Sequence, residues 1–344
     1  MKILIHHFDQ NAHGIVRFSR HEIVGIYDER PELNGKRVKE LLNVDRDIKI
    51  TNNFDKALEK AIKNKADLMI TTGEGLYFTK PEKVADWKRN VKKAIEKGMN
   101  IYNLSRILYG EKTSEFKGLA KKHKVKFEEA SDTLGYEKFF DFALKGVDEP
   151  VKTPVINFTG TSMNSGKITA MFVVKNLLEK KGKRIGVVGT EPSSVFMGAD
   201  EQVIPEVYPS FKATSAIYGA IKKVELEKKP DIILVGNQTG LRASVFDFKE
   251  ARAGAVVAWE ILLGSRPDKI VLCSKWKNTD EIKPHLELIK NSIGKEVIAL
   301  IINGSKGEKE EVLKIIEETE KKYRLPAMDV FLTPEKLEKL VTLL

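Results

Sequence analysis

The chain of 344 residues has a single cysteine, Cys273, and few aromatic residues, which make up 8% of the total. One cysteine excludes an intrachain disulfide and any metal site built from clustered cysteines. Because Cys273 lies in the apolar run 270–274, we expect it to be buried in a strand and not to act as a nucleophile. Glutamine is scarce as well, and this scarcity beside a surplus of Lys and Glu is typical of a thermophile-like composition.

Long hydrophobic runs are also absent from the sequence. Apolar runs such as residues 297–302 fall far short of the roughly 20 residues that cross a bilayer. The apolar part of residues 1–7 is too short for a secretory signal, so we expect a cytoplasmic protein without a membrane partner. At 42% apolar and 31% charged residues, the chain can form a globular core and, at about 150 residues each, two domains.

Basic residues exceed acidic ones, with 59 Lys and Arg against 49 Asp and Glu. This excess of positive charge could bind nucleic acid or an anionic ligand, or it could reflect only lysine-rich helices exposed to solvent. Basic and acidic residues alternate along helix-like stretches such as 308–322, and the sequence has no long basic arm or basic–aromatic stripe. We therefore expect no nucleic-acid partner and a small anionic substrate.

Short apolar segments alternate with amphipathic ones in two series. Residues 146–154, between the series, have the Gly, Pro and acidic residues of a linker, which predicts a boundary near residue 150 and domains at 1–150 and 151–344. Such alternation predicts parallel sheets with crossover helices. In the first series, strands are predicted at 2–8, 22–28, 68–72 and 100–104, and helices at 36–42, 54–63 and 84–97. In the second, strands at 155–159, 184–189, 231–236, 269–274, 297–303 and 328–332 alternate with helices at 167–181, 214–227, 248–263, 280–292, 308–323 and 334–343.

The first series is similar in pattern to a dinucleotide-binding fold. Asp28 ends its second strand, where such folds carry a ribose-binding acid, but the turn at 7–14 has no G-x-G-x-x-G pattern. NAD binding and a purely accessory or oligomerisation role are both open. His6, His7 and His13 lie close in sequence. Because neighbouring residues of a strand face opposite sides, and no further ligand with metal spacing accompanies these histidines, we interpret them as polar loop residues.

One segment has the residue order that phosphate binding requires. An apolar strand, residues 155–159, runs into a loop of small residues and then into a helix that opens with Gly166 and Lys167. Small side chains let backbone N–H groups converge on an anion, and the helix N-terminus and Lys167 add positive charge. The expected co-substrate ligands here are Gly160, Thr161, Ser162, Asn164, Ser165, Gly166, Lys167, Ile168 and Thr169. The predicted fold class is therefore α/β, with an N-terminal Rossmann-like parallel-sheet domain and a C-terminal P-loop NTPase-like domain on a doubly wound parallel sheet.

The loop departs from the common Walker spacing. Five residues rather than four separate Gly160 from Gly166, and Ile168 stands where Ser or Thr would hold magnesium. Thr169 lies about 100° further around the helix, so magnesium binding is less strongly indicated than phosphate binding. If magnesium is used, its expected ligands are Thr169, Glu191 and Asp200.

Polar residues follow the strands that should lie beside the loop, where ligands of parallel sheets bind. Glu191 follows one strand, and Asn237, Gln238 and Arg242 follow another. Each could also be ordinary loop polarity, and the turn at 303–307 could contact a nucleotide base or merely reverse the chain. We expect Lys167, Glu191 and Gln238 as catalytic residues and Asn237 as a further co-substrate ligand.

The loop pattern Gly160-Thr161, then Gly166-Lys167, is similar to the long phosphate loop of dethiobiotin synthetase and its relatives, which activate carboxylates or amides with ATP. Together with segments 17–36 and 120–123, this loop gives nearly the whole chain a resemblance to a second family. That family was long catalogued as a domain of unknown function and is now associated with D-glutamate N-acetyltransferase. That family's loop generally reads G-T-D-C-A-x-G-K-x-T-T, and its x-T matches Ile168-Thr169.

Three positions depart from that family pattern. Ser162-Met163 replaces its D-C, Ala170 replaces its second Thr, and Gly236-Asn237-Gln238 lacks the acid of its E-G-Q. The fold is therefore expected to transfer, whereas the substrate is not assumed to.

The resemblance implies an N-acetyltransferase that moves acetyl from acetyl-CoA to the amine of an acidic amino acid of the D-glutamate type. Glu191 would be the base and Gln238 a donor to the oxyanion. One alternative is an ATP- and Mg-dependent ligase or kinase acting on a small carboxylate, and another is a nucleotide-binding protein without turnover. A homo-oligomer is expected from the apolar tail at 340–344, although docking within the chain would bury this tail equally well.

Overall fold

The structure, a computed structural model, describes residues 1–72, 81–104, 113–132, 137–243, 246–247, 252–305 and 307–344. Its contacts divide the chain into two compact units. The first comprises residues 1–132 and 192–198, and the second comprises 133–191 and 199–344. The division falls ahead of the linker expected near residue 150. The reason is a helix at Lys138–Asp148, which the sequence analysis missed and which packs within the second unit.

The first unit is built on a six-stranded parallel sheet with the spatial order β3-β2-β1-β4-β5-β6. This is the strand order of dinucleotide-binding folds. From β1 the sheet extends to one side through β2 and β3 and to the other side through β4, β5 and β6, so the order of the strands reverses between β1 and β4. The strands are β1 Lys2–His6, β2 Glu22–Tyr27, β3 Ile50–Thr51, β4 Leu68–Thr71, β5 Asn100–Asn103 and β6 Phe127–Glu129. The helices are α1 Gln10–Phe18, α2 Val38–Leu42, α3 Phe54–Lys63, α4 Pro81–Glu96 and α5 Ser114–Lys122, with a 3-10 turn at Pro31–Leu33.

The core of this unit follows from its apolar pattern. Ile3, Leu4 and Ile5 of β1 are all fully buried, as expected of a central parallel strand covered on both faces. Helix α3 is capped by the Asn53 side chain and buries a single stripe of residues at helical spacing. That stripe consists of Phe54, Ala57, Leu58 and Ala61. The strands and helices thus form a layered α/β core.

The second unit has a seven-stranded parallel sheet in the order β15-β14-β13-β7-β10-β8-β9. Its strands are β7 Val155–Gly160, β8 Ile185–Gly189, β9 Glu201–Gln202, β10 Ile232–Gly236, β13 Lys269–Lys275, β14 Val297–Asn303 and β15 Ala327–Met328, and β11 Phe246–Asp247 and β12 Arg252–Ala253 form a separate antiparallel pair. The helices that follow along the chain are α6 Lys138–Asp148, α7 Lys167–Lys180, α8 Ser194–Met197, α9 Ser210–Lys228, α10 Ala255–Ser265, α11 Ile282–Ile293, α12 Lys309–Tyr323 and α13 Leu337–Leu343. Of these, α8 belongs by its contacts to the first unit. The 3-10 turns are Pro205–Val207, Trp276–Glu281 and Pro334–Lys336.

The predicted fold class is confirmed: both units are α/β with parallel main sheets. The helix predicted at 248–263 begins only at Ala255, and residues 248–251 lie outside the described part of the chain. Leu340 of the C-terminal tail is fully buried within the chain, so intrachain docking accounts for it, and a homo-oligomer stays a prediction. Across the described residues, no helix is both long enough and apolar enough to cross a membrane.

Candidate functional site

The phosphate loop leaves the central strand β7, which lies between β10 and β13. The chain returns so closely over Gly160 that a Cβ atom there would lie 2.3 Å from Ser165 Oγ and 2.8 Å from Lys167 Cδ. Asn164 and Gly166 have φ angles of 58° and 90°. Helix α7 then begins at Lys167, and none of the described side chains caps it. Because the first N–H groups of a helix lack intrahelical partners, this bend is a candidate anion site.

The Lys167 side chain crosses the loop. Its Nζ donates to the carbonyl oxygens of Ser162 and Thr239, both at 2.9 Å, and lies 3.4 Å from Ser165 Oγ. The residue is 6% exposed. Lys167 thereby connects the loop after β7 to the turn after β10, and Thr239 is a contact that the sequence analysis missed.

The surroundings of Lys167 lower the pKa of its ammonium group. Burial lowers the pKa of Lys167 to about 8, and Lys275 lowers it further. Cys273 and Glu191 act in the opposite direction. Glu191 therefore acts on Lys167 electrostatically, and a catalytic role for Glu191 stays a prediction.

Two neighbouring strands fix the position of the loop. The backbone N–H of Thr161 donates to the carbonyl oxygen of Cys273 at 2.9 Å, and the Thr161 hydroxyl bonds to Ser274 at 3.1 Å. The Asn303 amide donates to the carbonyl oxygen of Asn164 at 3.0 Å. The turn after β14 thus meets the loop, although Lys306 within it lies outside the described residues. Cys273 is fully buried, as expected, and burial raises the pKa of its thiol to about 12.

Ile168 and Thr169, the two residues after Lys167, differ in what they contact. Ile168 packs against the end of β10, where a Cβ on Gly236 would lie 2.6 Å from its Cδ1 atom. Thr169 is half-buried in the first turn of α7. The position that usually supplies a magnesium-binding hydroxyl is therefore occupied by an apolar packing contact.

Asn237 has a structural role in place of the co-substrate contact expected of it. Its Nδ2 donates to Thr159 Oγ1 at 3.2 Å and to the carbonyl oxygen of Ala258 at 3.1 Å. Its Oδ1 accepts from the N–H of Gln238 at 2.7 Å. Asn237 is fully buried. Because both amide hydrogens already have acceptors, the side chain links β7, β10 and α10 and has no donor to offer a ligand.

Gln238 is likewise held by neighbouring residues. Its Nε2 donates to the carbonyl oxygen of Thr190 and lies 3.4 Å from Glu206 Oε2. Both hydrogens of this amide therefore point to protein oxygens, so positioning of Glu206 fits Gln238 better than the oxyanion contact that was expected. Glu206 escaped the sequence analysis because it lies in a 3-10 turn beyond the edge strand β9, away from the end of any long strand.

Asp200 belongs to the sheet edge. Its Oδ2 accepts from the N–H of Val187 at 2.8 Å, and its Oδ1 pairs with Lys228 at 2.7 Å. Arg242 pairs with Glu281 at 3.1 Å. Within the described ranges, no group of three or more His, Cys, Asp and Glu side chains is placed to hold a metal ion. With Asp200 engaged elsewhere, the residues present do not fit the expected magnesium ligand set.

In the first unit, Asp28 does not present a free carboxylate for a ribose. It is 1% exposed and accepts from the N–H of Phe8 and the Nε of Arg30, both at 2.7 Å. Burial acts to raise the pKa of Asp28, but the hydrogen bonds from Arg30 and Phe8 outweigh it and lower the pKa. The expectation that His6 and His7 face opposite ways is wrong, because their ring centroids are 4.1 Å apart.

Comparisons with solved structures include a match to the whole chain. A DUF1611 family protein from Anabaena variabilis, 15% identical, covers 100% of this chain and 99% of its own with a TM-score of 0.76, which shows the fold alone. A nucleotide-binding protein from Archaeoglobus fulgidus in complex with ADP is 12% identical over 55% of this chain and 84% of its own, with a TM-score of 0.34. Cobyrinic acid a,c-diamide synthase from Mycobacterium smegmatis, with bound ADP and magnesium, is 11% identical over 51% and 83%, also at 0.34. The last two scores are too low to support an inference.

Family models match both parts of the sequence. The Rossmann-like N-terminal domain of DUF1611, a domain of unknown function, matches residues 31–132, and its P-loop domain matches residues 143–340. A search of curated proteins finds no match. On the strength of the P-loop model, which covers more than half of the chain, the protein belongs to the DUF1611 family.

Proposed function

We propose that the loop at residues 160–167 binds a phosphate group of a co-substrate, and that the protein is an N-acyltransferase that moves acetyl from acetyl-CoA to the amine of an acidic amino acid. The observation that carries the proposal is the position of Lys167 Nζ, buried inside the loop and bound to the carbonyl oxygens of Ser162 and Thr239. A phosphate oxygen is a stronger acceptor for an ammonium group than a carbonyl oxygen, and it would restore the full charge of a desolvated lysine.

The helix end supports the same assignment. Helix α7 runs for 14 residues and starts at the loop without a side-chain cap from the described residues. Its first N–H groups and its dipole favour an anion at that end, and Lys167 adds a formal charge. Loop and helix together therefore suit a phosphate group of either a nucleotide or coenzyme A.

Acyl transfer needs a base close to this anion site. An amine attacks a thioester only when it is unprotonated, and Glu191, which interacts with Lys167, is the carboxylate we assign to take its proton. The amine nitrogen then forms a bond to the acyl carbon, the carbon–sulfur bond breaks, and the thiol leaves with the proton. Gln238 contributes by holding Glu206 near the same strand ends.

A second candidate is an ATP- and magnesium-dependent ligase or kinase that acts on a small carboxylate, and the P-loop domain itself favours it. Lys167 would then lie against the terminal phosphate. Two features weigh against this candidate: the Ile168 side chain packs on β10, and Gly236 stands where the resembled family has an acid. These are the positions from which a hydroxyl and an acid would hold magnesium.

Calorimetric titration separates these functions. Acetyl-CoA, ATP and GTP are each titrated, with magnesium and with a chelator, into the native protein, Lys167→Ala and Lys180→Ala. Lys180 is the matched control, since it is a lysine of the same helix exposed in its last turn. Magnesium-independent acetyl-CoA binding that is lost only in Lys167→Ala supports acyl transfer.

Other results of the titration would favour a different function. Tight binding of ATP only in the presence of magnesium would overturn acyl transfer in favour of the ligase or kinase. Nucleotide binding without any turnover of acetyl-CoA or ATP would indicate a binding protein. If none of the three compounds binds, the phosphate-loop assignment itself is wrong.

A further inference from the structure

The connection that follows β8 contains a buried helix in place of a solvated turn. Residues 192–198, called the docked segment below, include α8 and belong by their contacts to the first unit, whereas β8 and β9 belong to the second. Phe196 and Met197 are 6% and 4% exposed, and Ser193 is 2% exposed. Connecting segments normally run over the protein surface, so the burial of this one requires specific contacts.

Helix α1 of the first unit receives the docked segment. Asn11 and Gly14 lie three residues apart on α1 and therefore share one face of it. The Ser193 hydroxyl donates to Asn11 Oδ1 at 3.0 Å, and a Cβ atom on Gly14 would lie 2.7 Å from Met197 Sδ. The absence of a side chain at Gly14 lets Met197 approach α1 this closely. One hydrogen bond and one close approach to the helix thus hold the segment.

Phe196 makes a further contact within the first unit. Its ring meets that of Tyr102, on β5, edge to face, with the centroids 4.9 Å apart. The ring of His21, the residue before β2, lies 6.3 Å away at an interplanar angle of 69°. Edge-to-face pairs at such distances are a favoured aromatic arrangement. The docked segment therefore contacts several parts of the first unit and not α1 alone.

Both ends of the docked segment lead back to β8. Ahead of it, the Thr190 hydroxyl donates to the carbonyl oxygen of Gly236 at 2.9 Å, which holds the end of β8 against β10. Behind it, the backbone N–H of Asp200 donates to the carbonyl oxygen of Val187 at 2.9 Å. Glu191 is the residue between Thr190 and the docked segment, so the backbone on each of its sides is held.

The backbone of Glu191 has little freedom between these points. Only Glu191 and Pro192 separate Thr190 from Ser193. Proline fixes its own φ angle and disfavours the helical conformation of the residue before it. Consecutive Cα atoms are about 3.8 Å apart, so two residues between two held points can change conformation only slightly. A displacement of Ser193 must therefore be taken up at Glu191.

We propose that the docked segment positions Glu191, so that Asn11, Gly14 and Met197 are positioning residues for the reaction at the phosphate loop. This inference rests on the proposed acyl transfer, in which Glu191 takes the proton of the attacking amine. A general base works only within hydrogen-bond reach of that proton, and a misplacement of about 1 Å can cost about 100-fold in rate. The first unit thereby contributes to the reaction without a ligand of its own.

The first test enlarges Gly14 in the full-length protein. Gly14→Leu pushes Met197 away, and Gly118→Leu on α5 is the matched control, because no atom lies within 4 Å of its Cβ position. With acetyl-CoA and D-glutamate as substrates, Gly14→Leu should lower kcat roughly 10- to 100-fold and change the KM for acetyl-CoA by less than about twofold. Gly118→Leu should match the native protein. Ser193→Ala, which removes one hydroxyl and adds no bulk, should lower kcat in the same way if Gly14→Leu fails to fold.

A second measurement requires no turnover. Glu191 acts to raise the pKa of Lys167, so moving Glu191 away should lower that pKa below about 8. NMR of the protein with 13C-labelled lysine side chains follows this titration, with Lys167→Met to assign the signal and Glu191→Gln to give the effect of losing the carboxylate. Gly14→Leu and Ser193→Ala should shift the pKa in the same direction as Glu191→Gln, and Gly118→Leu should leave it unchanged.

The two measurements separate this inference from the proposed function. A native protein that transfers no acetyl, combined with a lower pKa of Lys167 in Gly14→Leu and Ser193→Ala, would overturn acyl transfer but support the positioning of Glu191. Equal kcat and equal pKa in Gly14→Leu and Gly118→Leu would overturn the positioning and leave acyl transfer intact. A loss of acetyl-CoA affinity as large as the loss of kcat would also overturn it, because that result would indicate a general loosening of the phosphate loop.

Discussion

Lys167 Nζ and the carbonyl oxygen of Thr239 are 2.9 Å apart, which connects the phosphate loop to the turn after β10. Thr239 has a φ angle of 41°, and its hydroxyl donates to the carbonyl oxygen of Gly254 at 2.8 Å. The turn that accepts the lysine is therefore itself strained and held in place. A bound anion that accepts a hydrogen bond from Lys167 Nζ would therefore compete with the carbonyl oxygen of Thr239 for this donor.

Lys167→Met is expected to abolish phosphate-dependent ligand binding while leaving the fold intact. The charge-assisted bond to a phosphate is worth roughly 1.5–3 kcal/mol, so the dissociation constant should rise at least tenfold. Methionine keeps much of the side-chain volume and removes the unfavourable burial of the ammonium group. Calorimetry gives the affinity, and thermal unfolding gives the stability, which should fall by no more than about 1 kcal/mol.

Ligand affinity should decrease as the pH rises through about 8, the pKa of Lys167 in the free protein. A bound phosphate favours the charged lysine, so binding takes up a proton once the free lysine has lost it. Calorimetry in two buffers of different ionisation enthalpy measures this uptake. A constant affinity from pH 7 to 9.5 would show that Lys167 does not contact the ligand.

The same pKa has a consequence for stability. Because the folded-state pKa of Lys167 lies below its ordinary value of 10.5, the unfolded chain binds this proton more tightly. The group therefore destabilises the fold below pH 8, and this penalty disappears as the pH rises toward 10.5. Denaturant titrations of the native protein and Lys167→Met should show the stability difference between the two shifting in favour of the native protein over this range.

Gly160→Ala should damage the loop, since the new Cβ would lie 2.3 Å from Ser165 Oγ. Gly118→Ala is the matched control, because no atom lies within 4 Å of its Cβ position in helix α5. We expect the control to stabilise the protein by roughly 0.5–1 kcal/mol and to leave ligand binding unchanged. Gly160→Ala should lose binding and stability, and equal binding by both variants would contradict the loop geometry.

Asn237→Ala should lower the free energy of unfolding by roughly 1–3 kcal/mol, because it leaves the carbonyl oxygen of Ala258 and the hydroxyl of Thr159 without their donor. Ligand affinity of the folded variant should change much less than in Lys167→Met. Chemical denaturation and calorimetry on the same samples give both values. A stable variant that has lost its affinity would restore Asn237 as a ligand contact.

Much of the second unit could be predicted from its pattern of apolar strands and helix starts. Residues 297–303 could be predicted as a strand because they form a short continuous apolar run, and residues 167–180 as a helix because a Gly-Lys helix start follows the small-residue loop. Helix α6 was missed because the Gly, Pro and acidic residues at 146–154, which overlap its end, indicated a linker. Asn237 was misjudged for another reason: a polar residue at a strand end looks the same in the sequence whether it faces a ligand or a neighbouring strand.

The amino-acid sequence alone determined that this is a two-part α/β protein with a phosphate loop on its first C-terminal strand, because strand, small-residue loop and Gly-Lys helix start are local features. Only the tertiary structure decided which side chains complete the sites. Thr239 contacts Lys167, and Glu206 contacts Gln238, although these segments are far apart in the chain. The rings of His6 and His7 lie 4.1 Å apart at a backbone angle that no local pattern reveals.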